Sequence, residues 1–203
     1  GVSHLVAFFA AWPFLLRLIQ GAATPERRAC AAVYAASLLG LLGTSALYHR
    51  RTWTPAGRAR MRAVDHSAVF LLIAGTYTPI SLLAVGGRTG AWLCAAVWAG
   101  ALGGVAQTLF WPKAPRALHV GFYVLLGWAG LFGLVAEVRS IGYAGMLTHL
   151  IAGCLYTLGA VIYARKRPDP FPRVFGHHEI FHLLVLVACV GLYDVVRRCL
   201  AIP

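Results

Sequence analysis

Charge is what this sequence has least of. Only 12% of its 203 residues are charged, roughly half the share in a soluble domain of this size. Just six of them are acidic. Long polar stretches are also missing, which leaves no room for a separate soluble domain. There is no Cys-x-x-Cys spacing among Cys30, Cys94, Cys154, Cys189 and Cys199. They suggest neither a thiolate metal site nor a disulfide framework, so the five read as small packing residues. A Gly-x-Ser-x-Gly elbow and a phosphate-binding glycine loop are absent too, which weakens the serine-hydrolase and nucleotide readings. No internal repeat or low-complexity tract is visible.

What is present is apolar: 60% of the chain. Uncharged runs of about 17 to 22 residues recur along its length, enough to cross a bilayer as helices. We expect an all-α integral membrane protein, one domain over residues 1–203 with about seven spanning helices. They are expected near Val2–Ile19, Ala29–His49, Asp65–Val85, Ala91–Trp111, Ala117–Val138, Tyr143–Tyr163 and His178–Leu200. Breakers separate them: Thr24-Pro25, Gly86-Gly87, Pro112 to Pro115, and Pro168 to Pro170. Gly100 and Gly104 permit a close helix contact. Trp53, Trp111, Tyr143 and Tyr163 fall near span ends, where aromatic rings favour the interface. The chain opens on Gly, so a preceding segment is expected. Its first apolar run lacks a basic leader and reads as a true helix.

The net charge of +12 does not point to nucleic acid. Arg and Lys sit in short clusters between apolar runs, as in Arg58, Arg60 and Arg62 or Arg165, Lys166 and Arg167. That is the pattern of loops beside anionic headgroups. With seven spans, 11 of the 18 basic residues fall on the N-terminal side and 7 on the other. The N-terminus is therefore expected inside the cell.

Ionisable residues within spans are costly and need a partner or a task. Ser45 and His49 lie one turn apart at the end of the second span, Asp65 and His66 open the third, and His178 and His182 lie one turn apart at the start of the seventh. The topology brings all three groups to one leaflet. Three imidazoles suit a zinc ion with one open position. His178 and His182 at i, i+4 can share it, and His49 can supply the third ligand. Asp65 is placed to take a proton from a water held there, and Ser45 to hydrogen-bond it. Plainer readings stand beside these: two half-solvated histidines, Asp65 as a helix cap, and Ser45 bonded to its own backbone. Glu179 reads as a helix-start acid. His4 and His119 share the leaflet as candidate supporting groups, whereas His149 lies toward the opposite one.

The stretches Ser45-Ala46-Leu47-Tyr48-His49, Asp65-His66-Ser67 through Ala74-Gly75-Thr76-Tyr77-Thr78-Pro79, and Gly176-His177-His178-Glu179-Ile180-Phe181-His182 carry a resemblance. In order and spacing they are similar to the hemolysin III branch of the PAQR (progestin and adiponectin Q receptor) family. The resemblance implies a seven-helix bundle with a cytoplasmic N-terminus in a bacterial inner (plasma) membrane. It also implies zinc on His49, His178 and His182, with Asp65 and Ser45 beside the bound water. Relatives in the wider superfamily look like membrane amidases such as alkaline ceramidases. The function expected is a zinc-dependent hydrolase of a lipid amide or ester, with membrane lipids as partners. The alternatives are a non-enzymatic regulator of membrane homeostasis with structural zinc, and a cytolytic protein. The spans lack the polar stripe of a water-filled pore, which ranks cytolysis last.

Overall fold

The computed structural model describes residues 1–171 and 175–202. Of the charges counted above, Arg173 lies outside the described residues. The described chain is all helical apart from loops and one isolated bridge pairing Phe171 with Phe175. The helices are α1 (Val2–Gln20), α2 (Pro25–Arg50), α3 (Pro55–Pro79), α4 (Gly87–Phe110), α5 (Arg116–Gly127), α6 (Leu134–Arg165) and α7 (His177–Leu200). Six continuous helical stretches are long and apolar enough to cross a membrane. Their outer faces are apolar as well. Phe110 and Phe132 are each 86% exposed, and Leu125 and Val190 are nearly as open. In water such a surface would aggregate, whereas against lipid tails it costs nothing.

Local chemistry explains several helix ends. Thr24 accepts a hydrogen bond from the Arg27 amide, and Thr54 accepts one from the Gly57 amide. In each case proline occupies the first helical position. The second of these caps starts α3 ten residues before the apolar run that was expected to begin it at Asp65. Arg58, Arg60 and Arg62 therefore ride on a helical overhang and not in a loop. Asp65 is not a cap, since Thr54 holds that place and Asp65 lies nearly three turns further along. At the other end of α3, Pro79 removes a backbone donor and the helix widens into a π turn over Ile80–Val85. Gly86 and Gly87, at φ 67° and 56°, then turn the chain into α4.

The longest apolar stretch, Ala117–Arg165, covers 49 residues. A straight helix of that length would measure about 74 Å, far beyond a hydrocarbon core of about 30 Å. It is not straight. The α5 helix passes through a tight 3₁₀ segment, Trp128–Gly133, into α6, and Gly142 inside α6 has φ 74° and ψ 170°. His149 Nδ1 lies 2.7 Å from Glu137 Oε2, and Trp128 Nε1 donates to Thr157 Oγ1 at 3.0 Å. Residues twelve apart on a straight helix would be about 18 Å apart. The chain therefore doubles back at Gly142, a backbone conformation that favours glycine.

The expected Gly100 and Gly104 contact exists, and it points inward. Gly104 lies under the Phe70 ring of α3, and Gly100 faces Leu126 of α5. Phe70 is completely buried, so its ring has nowhere to go. Gly104→Ala should therefore lower stability by about 1–3 kcal/mol through overpacking. Gly103→Ala, whose new methyl would meet only the Phe122 ring edge at 3.9 Å, should not. Thermal unfolding of the two variants in detergent checks the difference.

Candidate metal centre

Each histidine of the site is presented by a helix end. Ser45 and His49 occupy the last two turns of α2, on one face. His178 and His182 occupy the first two turns of α7, which starts where Glu179 Oε2 accepts from the Gly176 amide at 3.0 Å. Glu179 is thus the helix-start acid expected, and it stands outside the cluster. His4 comes from the first turn of α1.

The three expected ligands do meet. Ring nitrogens of His49, His178 and His182 all lie within 4.8 Å of one another. His178 Nε2 is 3.3 Å from His49 Nε2 and 2.9 Å from His182 Nε2. In its ring plane a nitrogen carries either one hydrogen or one lone pair. His178 Nε2 would have to share that single hydrogen or lone pair between both neighbours. Three converging lone pairs are what a cation requires, and the three histidines could hold one metal ion. Tetrahedral zinc, with nitrogen ligands at 2.0–2.1 Å, sets them about 3.3 Å apart. Two spacings, 3.3 and 2.9 Å, lie at or inside that value and all three nitrogens fall within 4.8 Å of one another, so the donor set could hold one ion.

The second nitrogen of His182 is also engaged. Its Nδ1 lies 3.0 Å from His4 Nε2, and both rings are buried. With His182 Nε2 aimed at the cluster as a lone pair, Nδ1 carries the proton and donates it to His4. That is the supporting contact that orients a metal-binding imidazole. His119, the other candidate for this role, instead lies near His66, their rings 6.4 Å apart. Tyr163, expected at the interface, has its ring against His178 and Phe181.

Asp65 and Ser45 flank the cluster. Ser45 is 1% exposed, and its hydroxyl faces the Asp65 carboxyl without a direct hydrogen bond. It does not bond its own helix backbone, as an isolated serine would. Both line a cavity of about 830 Å³, together with the three histidines. Arg58 and Arg62 of the overhang line the same end. Further in, the walls are apolar, formed by Val69, Leu72, Ile73, Val185 and Leu192. The histidines are unequal: His182 is buried, while His49 and His178 are half-buried.

Comparison with known proteins now bears on the chain. The family described as Haemolysin-III related matches residues 1–193. The chain belongs to the haemolysin-III related family. It is 32% identical over 172 residues to the Hemolysin-3 homolog of Bacillus subtilis (strain 168), covering 84% of this chain and 78% of that protein. It is 30% identical over 188 residues to Hemolysin-3 of Bacillus cereus, covering 91% and 83%.

Sequence reasoning passed over one polar contact. Glu137 is completely buried against His149, and neither was assigned a role. The signal was available: Glu137 is the only acid between Asp65 and Asp169, and a lone acid in an apolar run needs a partner.

Purified wild type supplied with zinc should retain about one equivalent, and His178→Ala should retain almost none. His4→Ala should weaken affinity about 10- to 100-fold through the lost supporting contact. His177→Ala, whose ring meets Asp169 outside the cluster, should match wild type. Elemental assay and chelator competition measure all three.

Proposed function

We propose that this haemolysin-III related protein is a zinc-dependent hydrolase of a lipid amide or ester. One observation carries the reading: three convergent imidazoles, a carboxyl and a hydroxyl stand at one end of a cavity whose walls next to them are largely apolar. A catalytic zinc site keeps one position open, and that volume is the size of a ligand pocket. The broader likeness is to the PAQR family and to membrane amidases such as ceramidases.

His49, His178 and His182 would hold the zinc, with His4 orienting His182. Bound there, zinc polarises a carbonyl and lowers the pKa of water to about 7. The remaining work falls to this chain. The Asp65 carboxylate is placed to take the proton from an attacking water and return it to the leaving amine or alcohol. Ser45 Oγ, facing Asp65, is placed to donate a hydrogen bond to that water or to a substrate oxygen. The apolar walls hold the acyl chain and keep bulk water from the site.

The site would lie near the cytoplasmic leaflet of a bacterial plasma membrane. Supporting this, the arginines of the α3 overhang share the cavity's end with the histidines, and basic residues mark the inner side. The fold-back at Gly142 supports counting Ala117–Arg165 as two crossings, giving seven with the N-terminus inside. Those crossings would be residues 117–141 and 143–165.

Asp65→Asn should reduce fatty acid release from the cleaved lipid at least 100-fold while leaving zinc content unchanged. Ser45→Ala should have a smaller effect. Assays of the zinc-loaded protein against amide- and ester-linked lipids measure both. Equal release by wild type and Asp65→Asn would defeat the enzyme reading. It would leave a non-enzymatic regulator in which zinc ties α2 to α7.

A further inference from the structure

The cavity has a second polar level, far from the histidine cluster. It is marked independently on two helices. On α3, Thr76 lines the cavity and is 3% exposed, yet its hydroxyl has no partner among the described residues. Tyr34, Ser45, Ser67 and Ser81 also have buried hydroxyls without a partner among the described residues, but among the threonines Thr76 differs from five others. Thr44, Thr78, Thr108, Thr148 and Thr157 each donate to the carbonyl four residues back. A buried hydroxyl left unpaired forfeits its hydration with nothing in return.

On α6, the His149 ring also lines the cavity. Glu137 engages its Nδ1 at 2.7 Å, which fixes both the ring and its tautomer. With the proton on Nδ1, Nε2 is left as a lone-pair acceptor, and no protein group among the described residues takes it. If the pair served only to pin the hairpin, the Thr76 hydroxyl and this second nitrogen would have no use.

The two levels are a measurable distance apart. Asp65 and Thr76 are eleven residues apart on α3, or about 16 Å. On the far wall, Gly191 of α7 packs on Thr148 and Ala152 while Gly159 packs on Phe181 and Leu184. His149 thus lies about nine residues along α7 from His182, or about 13 Å. Val69, Leu72, Ile73, Val185 and Leu192 are among the residues that line the cavity.

We infer that Thr76 and the Glu137–His149 pair form a hydroxyl-binding subsite, selecting an acyl chain hydroxylated near its middle. The inference rests on the cavity holding an acyl chain with its head at the histidines. A hydroxyl is the group that matches both partners: it donates to His149 Nε2 and accepts from Thr76. A carboxylate offers no proton to that nitrogen, and a bare methylene leaves both protein groups unpaired.

Ricinoleic acid and oleic acid differ only by a mid-chain hydroxyl and serve as the matched probes. Their affinities for the full zinc-loaded chain are measured by equilibrium dialysis, without any turnover. Ricinoleic acid should bind wild type about fivefold more tightly or better, the worth of a recovered hydrogen bond. Thr76→Val keeps the side-chain shape and should erase most of that preference while leaving oleic acid affinity unchanged. His149→Phe should do the same, with a melting curve to confirm that it folds. Asp65→Asn should keep the preference whether or not the protein is an enzyme. Equal binding of the two acids by wild type overturns the subsite and leaves the acyl cavity standing. A preference that survives in Thr76→Val also overturns it. If neither acid binds, the cavity takes no acyl chain, and both readings fall together.

Discussion

Three imidazole nitrogens from two helices converge at one end of this bundle, a donor set that could hold one metal ion. Converging lone pairs repel, and a cation among them would relieve that repulsion. The meeting of His49, His178 and His182 is therefore the constraint that organises this structure. It fixes the end of α2 against the start of α7 and draws α1 in through His4. Asp65 and Ser45 have their place because they border that point.

Much of this was legible in the chain. An i, i+4 pair of histidines on a helix shares a face, and a serine four residues before a histidine does the same. Bilayer-length apolar runs then carry those faces to a common end. The histidine triad that could hold a metal, and its neighbours, follow from these two periodicities and the order of the spans. The resemblance to hemolysin III supplied the same residues independently, and the family match confirms that relationship.

What stayed hidden had physical causes. The start of α3 was placed by hydropathy, which marks where lipid begins and not where a helix begins. Thr54 and Pro55 carried the true signal, a cap followed by a proline at the first position. The contact of Glu137 with His149 depends on a fold-back at Gly142. Its twelve-residue spacing fits neither helical period, so only the folded chain shows it. Tyr163 looked like an interface anchor because it ends a span, but a span end beside the histidines is also a cavity wall. Thr76 is distinguished from five other threonines only by a hydrogen bond that it does not make.

The α3 overhang has a consequence for traffic through the protein. Arg58 and Arg62 line the same cavity as the histidines, on the overhang that precedes the apolar part of α3. Fixed positive charge against low-dielectric walls concentrates anions and repels cations. A carboxylate freed at the cluster would carry a charge that the apolar interior rejects and the arginines welcome. Release would therefore run downhill toward the aqueous side, and the departing anion would not retreat into the lipid. The gate would be one of sign, built from a stretch of helix that hydropathy alone had taken for a loop.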